Sequence, residues 1–379
     1  MLSIFCAPAR YVQGRNATRW LGSEMKKLGL NGRVFILAGG NANRLLQETW
    51  TETFRESGHD FTAFAFKGEC SSVEIQRCKN AALEYKATVI VGAGGGKVLD
   101  TARAVASELG LPIVNCPTLA SSDAPCSALS VVYTEEGQFQ EYKFYPRNPD
   151  LVLVDSSVIA KGPARLLVAG MGDALATWFE AKTVRDANKR NQVGGKTTIS
   201  ADALAELCYK TLVNDGLSAL HSVQQRAVTP ALERLIEANT LLSGLGFESG
   251  GLAVAHSVHN GLTTVPETHN YYHGEKVAFG LIVQLVLEGQ ATKMIEEVLT
   301  FCESVGLPIC LQDLGICGLE KETLKTVSER ATAPGETAHN EPFEVTPEML
   351  ADAIMSADSI GMAFKTIDPD MTEFCASIN

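Results

Sequence analysis

Apolar and polar positions keep one rhythm in the first part of the chain and another in the rest. Arg33–Ala38 (RVFILA) is a compact β-branched and apolar run closed by Gly39–Gly40, which predicts a buried strand. A helix follows from Ala42 to Ser57, and the alternating run Asp60–Phe66 (DFTAFAF) predicts a second strand. Ser71–Ser72, ahead of Glu74 and Ile75, is a helix-start signal for a helix reaching about Lys86. Thr88–Val91 reads as a strand, Val98–Leu109 as a helix and Pro112–Asn115 as extended chain. Ser127–Tyr133 and Gln140–Phe144, joined through Glu135–Gly137, predict an antiparallel hairpin, and Asp150–Asp155 (DLVLVD) a last strand. Strands alternating with helices predict a parallel sheet covered on both faces.

Beyond about Gly162 the strand pattern stops and helical spacing takes over. Helices are predicted at Ala164–Arg185, Ser200–Asn214, Pro230–Ser249, Leu252–Thr263, Glu275–Glu288, Lys293–Val305 and Pro347–Gly361. The expected organisation is therefore an α/β domain over residues 1–162 and an all-helical domain over 163–379. A chain of 379 residues is long enough for two cores.

Composition adds exclusions. Net charge is −12 with no Lys/Arg block, so neither nucleic acid nor an anionic membrane is expected as a partner. Apolar runs all break well short of a membrane span, and Met1–Arg10 lacks the pattern of a signal peptide. Ten scattered cysteines without a CxxC pair fit reduced thiols in a cytoplasm.

Three stretches carry candidate chemistry. GAGGGK (Gly92–Lys97) lies at a strand's carboxyl end before a helix, where backbone N–H groups and the helix N-terminus favour a phosphate. It matches neither the P-loop nor GxGxxG, and a tight strand-to-helix turn is the alternative, but three consecutive glycines beside a lysine favour phosphate binding. Pro117–Tyr133 (PTLASSDAPCSALSVVY) offers small residues that can line an extended ligand, with the single carboxylate Asp123 open to ligand contact or to turn formation. Gly251–Gly280 holds four of the seven histidines: His256, His259, His269 and His273. Two imidazoles from adjacent helix ends plus one carboxylate would make an open three-ligand zinc site, while ordinary core or surface histidines are the alternative. Asp173, in GMGDALATWFEA, could be that carboxylate or a helix cap, and Glu180 on its face reads as solvated or salt-bridged.

GAGGGKVLDTA, PTLASSDAPCSALSVVYT, GMGDALATWFEA and GLAVAHSVHNGLT…HNYYHGEKVAFG together resemble the bacterial glycerol dehydrogenases of the iron-containing (group III) alcohol dehydrogenase superfamily. The likeness runs from YVQG near the start to GETAHN late in the chain. It implies a dehydroquinate synthase-like architecture: a dinucleotide-binding domain, an all-helical domain, and a cleft between them holding Zn2+ and NAD. By position it implies Asp173, His256 and His273 as zinc ligands, with His259 packed beside them. NAD would lie along Gly94, Gly95, Gly96, Lys97 and Asp100, then Thr118, Ser121, Ser127, Leu129 and Tyr133. Asp123 would contact the polyol. The resemblance also implies a homo-oligomer, commonly an octamer, oxidising glycerol and other 1,2-diols.

One position departs from that pattern. Where the family commonly has an aspartate for the adenosine ribose, this chain has Gly39 or Gly40, so use of NADP is expected to be tolerated, with Asn41, Asn43 and Arg44 nearby. Polyol-phosphate dehydrogenase or dehydroquinate synthase-like lyase activity is disfavoured, because Lys276 is the only Lys or Arg within Gly251–Gly280. A 2-hydroxy- or 2-oxo-acid reductase of the same family stays open. A non-catalytic nucleotide-binding protein is opposed by the intact Asp173, His256 and His273.

Overall fold

A computed structural model describes residues 1–318 and 320–366, so the part of the expected helical domain at 367–379 lies outside the described residues. Among the described residues there are eight strands: β1 Tyr11–Gly14, β2 Arg33–Ala38, β3 Asp60–Ala65, β4 Val89–Gly94, β5 Ile113–Pro117, β6 Leu129–Tyr133, β7 Phe139–Phe144 and β8 Leu151–Asp155. The helices of the first part are α1 Leu21–Lys27, α2 Gly40–Ser57, α3 Ser72–Tyr85 and α4 Gly96–Leu109. After β8 come α5 Ser156–Ile159, α6 Ala164–Asp186, α7 Ile199–Gln224, α8 Pro230–Glu237, α9 Ser243–Gly250 and α10 Val254–Leu262. Then follow α11 His273–Leu287, α12 Thr292–Val305, α13 Lys321–Ala331 and α14 Pro347–Thr366.

Six strands form a parallel sheet in the order β1-β8-β5-β4-β2-β3. Its central strands are apolar on both faces because both are covered: Val34, Ile36, Val89 and Val91 pack with Leu21, Trp50 and Phe54 on one side. Phe35, Leu37 and Ile90 pack with Ile75, Cys78 and Val105 on the other. From β2 the chain runs outward to β3, returns to β4 and then proceeds the opposite way to β5, so the order reverses between β2 and β4. That reversal opens a crevice at the strands' carboxyl ends, where Gly39 donates its N–H to Ala93 O at 3.0 Å. β6 and β7 form the separate antiparallel hairpin, with a register shift at Val132/Tyr133.

The helical part buries the largest apolar cluster, which continues into Val152 and Val154 of β8 and Ala120 and Cys126 of the loop after β5. β1 adds polar ties across the same seam: Tyr11 Oη meets Thr240 Oγ1 at 2.9 Å, and Gln13 Nε2 donates to Glu233 O at 2.8 Å. The short strand β1, the seven-residue α1 and the polar α13 have patterns too brief or too hydrophilic to stand out by periodicity. Several boundaries differ: the helix expected at Ser200–Asn214 runs on as α7 to Gln224, the strand expected from Ser127 starts at Leu129, and two further differences have a direct physical reason. β4 runs on through Gly92–Gly94, since the sheet pairs their backbone whatever the side chain. The expected helix Pro230–Ser249 contains a π-helical turn at Ala238–Leu242, which carries Asn239 into donation to Ala120 O and Leu167 O.

Candidate metal and cofactor site

Asp173 lies well inside α6, not near its start, and it is fully buried. Helix capping is therefore excluded for it. The glycines on either side explain how a carboxylate comes to be exposed to other elements there. A Cβ on Gly170 would stand 2.0 Å from Ala120 O, and one on Gly172 would stand 2.3 Å from Gly274 O. The first glycine lets the loop after β5 close against α6, and the second admits the first turn of α11. Gly274 answers from the other side, its own Cβ position falling 1.8 Å from Ala169 O. Asp173 thus meets both the Ser121–Asp123 loop and His273.

His273 is the first residue of α11, and His256 sits in the first turn of α10. Asp173 Oδ1 lies 3.1 Å from His273 Nε2 and 3.5 Å from His256 Nε2. Neither contact has hydrogen-bond geometry, so this buried oxygen has no donor. One ligand atom from each residue falls within 4.8 Å of the other two. Tetrahedral zinc with bonds of ~2.0–2.1 Å requires ligand atoms about 3.3 Å apart, and both measured separations bracket that value. Three donors aimed at one point and a buried oxygen without a proton fit a divalent cation.

Burial alone would raise Asp173, yet the facing His273 and His256 rings outweigh it and hold the carboxyl well below its usual range. For His256, burial opposes the proton, but Glu180 and Asp173 together raise it well above an ordinary imidazole. A cation seated there would take the place of the His256 proton, so its binding would release that proton.

Glu180 is fully buried, which corrects its reading as solvated, and the salt-bridged alternative is met by His256, whose Nδ1 lies 2.7 Å from Glu180 Oε2. The flanking ALATWFEA is apolar almost all round the helix, and that was the available signal of burial at this position. Glu180 Oε1 accepts from Ala253 N at 2.9 Å and His256 N at 3.1 Å, satisfying two otherwise orphaned donors at the start of α10. Its Oε2 accepts from His256 Nδ1 at 2.7 Å. A carboxylate only accepts, so the neutral ring carries its proton on Nδ1 and leaves Nε2 bare towards Asp173.

His259 is half-buried and stacks edge-on to His273 at 4.2 Å between ring centroids. His269 is exposed and bonds to Thr263 O. Asp123 donates its backbone N–H to Asp173 Oδ2 at 3.1 Å, and its carboxylate lies 3.5 Å from Ser243 Oγ. Burial and the neighbouring Asp173 carboxylate push Asp123 well up.

The glycine turn lies next to this cluster. Gly95 is the N-cap of α4 without a side-chain cap, so the first N–H groups of the helix face outward. A Cβ on Gly94 would collide with Val98 at 2.6 Å, which forces glycine at the strand's end. A Cβ on Gly96 would reach to 3.6 Å from Ser122 Oγ, so the turn and the Ser121–Asp123 loop face each other. Thr118 and Ser121 are half-buried beside them, and Thr118 N bonds to Gly94 O at 3.0 Å. Leu129 and Tyr133 project from one face of β6, while Ser130 and Val132 fill the other. Lys97 pairs with Glu69 and lies over the Tyr133 ring at 5.7 Å. Ser127 is buried, its hydroxyl 3.4 Å from Ala124 O. Asp100 is buried too, its carboxylate shared between Arg103 and Val131 N, and burial raises it to about 6.

Comparison with known proteins places the whole chain in a family. Residues 8–156 match the family model for iron-containing alcohol dehydrogenase. A glycerol dehydrogenase of Thermotoga maritima is 49% identical over 97% of this chain and 100% of its own. A glycolaldehyde reductase of Halobacterium salinarum is also 49% identical, over 95% of this chain and 98% of its own. The crystal structure of glycerol dehydrogenase from Schizosaccharomyces pombe superposes with a TM-score of 0.92 at 40% identity, covering 96% of this chain and 92% of that one. With near-complete relatives at this identity, the chain belongs to the iron-containing alcohol dehydrogenase family and is an oxidoreductase.

Proposed function

We propose that this protein is a zinc- and NAD-dependent polyol dehydrogenase that interconverts 1,2-diols, glycerol foremost, with 2-hydroxycarbonyl compounds such as dihydroxyacetone. One observation carries the reading: Ser122 faces the N-terminus of α4, and the next residue, Asp123, touches Asp173. A dinucleotide on the glycine turn and a cation on Asp173, His256 and His273 would therefore be neighbours. Relatives of equal identity named for glycerol and for glycolaldehyde share one chemical feature, two oxygens on adjacent carbons.

In this reading residues 1–162 hold the dinucleotide and residues 163–379 supply the metal side. Gly94, Gly95, Gly96 and Lys97 form the cradle, whose uncapped helix start suits a pyrophosphate. Thr118, Ser121, Leu129 and Tyr133 line its continuation, while Asp100 and Ser127 brace α4 and β6 from behind. Zinc supplies Lewis acidity, easing loss of a hydroxyl proton, and NAD supplies the hydride acceptor. The chain's own residues orient the reactants. Asp173, His256 and His273 fix where the oxygens sit, and Asp123 receives a neighbouring hydroxyl. A dinucleotide held on Gly94–Lys97 would supply the two-electron acceptor for hydride from the secondary carbon, with the hydroxyl proton passing to solvent as C=O forms.

Gly39 and Gly40 place no carboxylate at the start of α2, where Arg44 donates to Asn41 Oδ1 at 3.0 Å. A 2′-phosphate would meet no like charge there, so NADP is accepted alongside NAD. An NAD preference above ~1000-fold in kcat/KM contradicts this. Assembly into a homo-oligomer, as an octamer, is carried by the resemblance alone. Reduced, mostly buried cysteines favour the cytoplasm, and among the described residues no helix is long and apolar enough to cross a membrane.

A substrate panel tests the assignment. With NAD, glycerol and propane-1,2-diol should exceed simple monoalcohols by ~100-fold or more in kcat/KM, since only vicinal oxygens use both positions. Equal rates on propan-1-ol, or a preference for 2-hydroxy acids, would overturn the diol reading.

A further inference from the structure

The second imidazole of the cluster has no carboxylate behind it. His273 Nδ1 instead meets another ring, His259 Nε2, at 3.0 Å. Two neutral imidazoles in contact can settle either way: the proton on His273 Nδ1, leaving its Nε2 bare, or the proton on His259 Nε2, which forces His273 to carry its own on Nε2 and blocks it as a ligand. Something further out must choose.

His259 Nδ1 lies 3.1 Å from Asn260 Oδ1, and Asn260 Nδ2 lies 2.9 Å from Glu336 Oε2. Asn260 Nδ2 also faces Tyr142 Oη at 3.4 Å. Glu336 pairs through Oε1 with Arg330, and its side chain is only 10% exposed. A carboxylate has no proton to give, so Asn260 must turn its amide nitrogen to Glu336 and its oxygen to His259. His259 then carries its proton on Nδ1 and accepts at Nε2. His273 must donate from Nδ1, and its Nε2 lone pair is left facing Asp173.

We propose that Arg330, Glu336, Asn260 and His259 form a directional hydrogen-bond relay that sets the ligating tautomer of His273. The proposal rests on the metal reading above. These are positioning residues: none of them lies among the three ligands, and each acts through the next. The segment that carries Glu336 is anchored for the purpose, with Thr337 Oγ1 donating to Ala253 O at 2.6 Å, Ala338 N to Ser257 Oγ at 2.7 Å and Asn340 Nδ2 to Leu252 O at 2.8 Å.

The relay predicts a reversal and a rescue. In Glu336→Gln, Arg330 holds the new side chain's amide oxygen, so the amide nitrogen faces Asn260. Asn260 must flip, its nitrogen then donates to His259 Nδ1, and the protons of both rings are displaced to Nε2. Adding Asn260→Asp restores an acceptor towards both the introduced amide and His259 Nδ1, and the original direction returns. Zinc affinity of the purified full-length chain is read by competition with a chromophoric chelator, alongside the Tm of the metal-free forms. Glu336→Gln should weaken zinc binding by ~10–100-fold, and the double variant should recover to within about fivefold of the parent. Histidine 15N spectra of the zinc-loaded parent, which need no variant to fold, should show His259 protonated at Nδ1. Unchanged affinity in Glu336→Gln, no recovery in the double variant, or His259 protonated at Nε2 overturns the relay. A parent that binds zinc but fails these tests leaves the metal reading intact, whereas a parent that binds no zinc overturns both.

Discussion

At the scale of single residues, the site depends on carboxylates that are not themselves ligands. Glu180 fixes the ring of His256 and closes the N-terminus of α10 with the same side chain. Replacing it with Gln keeps the shape but removes the charge and one acceptor. Glu180→Gln should lower zinc affinity by ~10–100-fold while leaving the KM for NAD within about twofold, which chelator competition and steady-state kinetics can separate. Loss of both to the same degree would point to collapse of α10 instead. The histidine-rich stretch Gly251–Gly280 stood out in the sequence, but the choice of His256 and His273 with Asp173 came from the family resemblance. Glu180, Asn260 and Glu336 did not stand out as site residues, since a carboxylate or amide on a helical face looks solvated until the partner element is known. Asp123 shows the same limit: a lone carboxylate among small residues reads equally as a turn former until Asp173 is found beside it.

At the scale of elements, the site is made by close approach of backbones. Gly172 and Gly274 let α6 and α11 cross with no side chain between them, and that crossing brings Asp173 to His273. Gly274→Ala would drive a methyl into Ala169 O, so α11 must shift. Overpacking of this kind costs ~1–3 kcal/mol, seen as a lower urea midpoint, and zinc affinity should fall by at least about tenfold with it. Wild-type values for both would mean that the crossing has slack. The segment after α13 has a different liability. Glu341 is buried, neither carboxylate oxygen has a hydrogen-bond partner, and burial with the Glu288 and Glu180 charges beside it raises it to about 8. Its folded pKa is raised, so the folded state holds a proton that the unfolded chain has lost. The cost is absent below the unfolded value, grows as pH rises, and is complete above about 8. Glu341→Gln should therefore be more stable than the parent by roughly 1–3 kcal/mol near pH 9, with the gap closing towards about pH 5.5. Urea midpoints at the two pH values test it, and a gap that widens on acidification contradicts the account.

At the scale of the whole molecule, the alternation of strands and helices made the parallel sheet legible, and the loss of strand pattern after β8 marked the helical part. Strand order was not legible, because β1, four residues long, joins the sheet beside β8, far along the chain. Nor was the shared core, in which Val152 and Val154 of the sheet pack into the helical cluster. That seam matters to function. It places the Ser121–Asp123 loop between the α4 N-terminus and Asp173 of α6, so in the proposed reading the cofactor and metal positions would be set by the fold before either binds. The central claim is that convergence of Asp173, His256 and His273 on one divalent cation is required for diol oxidation. Metal content per chain, followed against glycerol-dependent NADH formation through chelation and stepwise zinc return, tests it most directly. The account predicts one zinc per chain at full activity, loss of turnover on stripping, and recovery in proportion to zinc restored. A stripped protein that keeps its full turnover would contradict it.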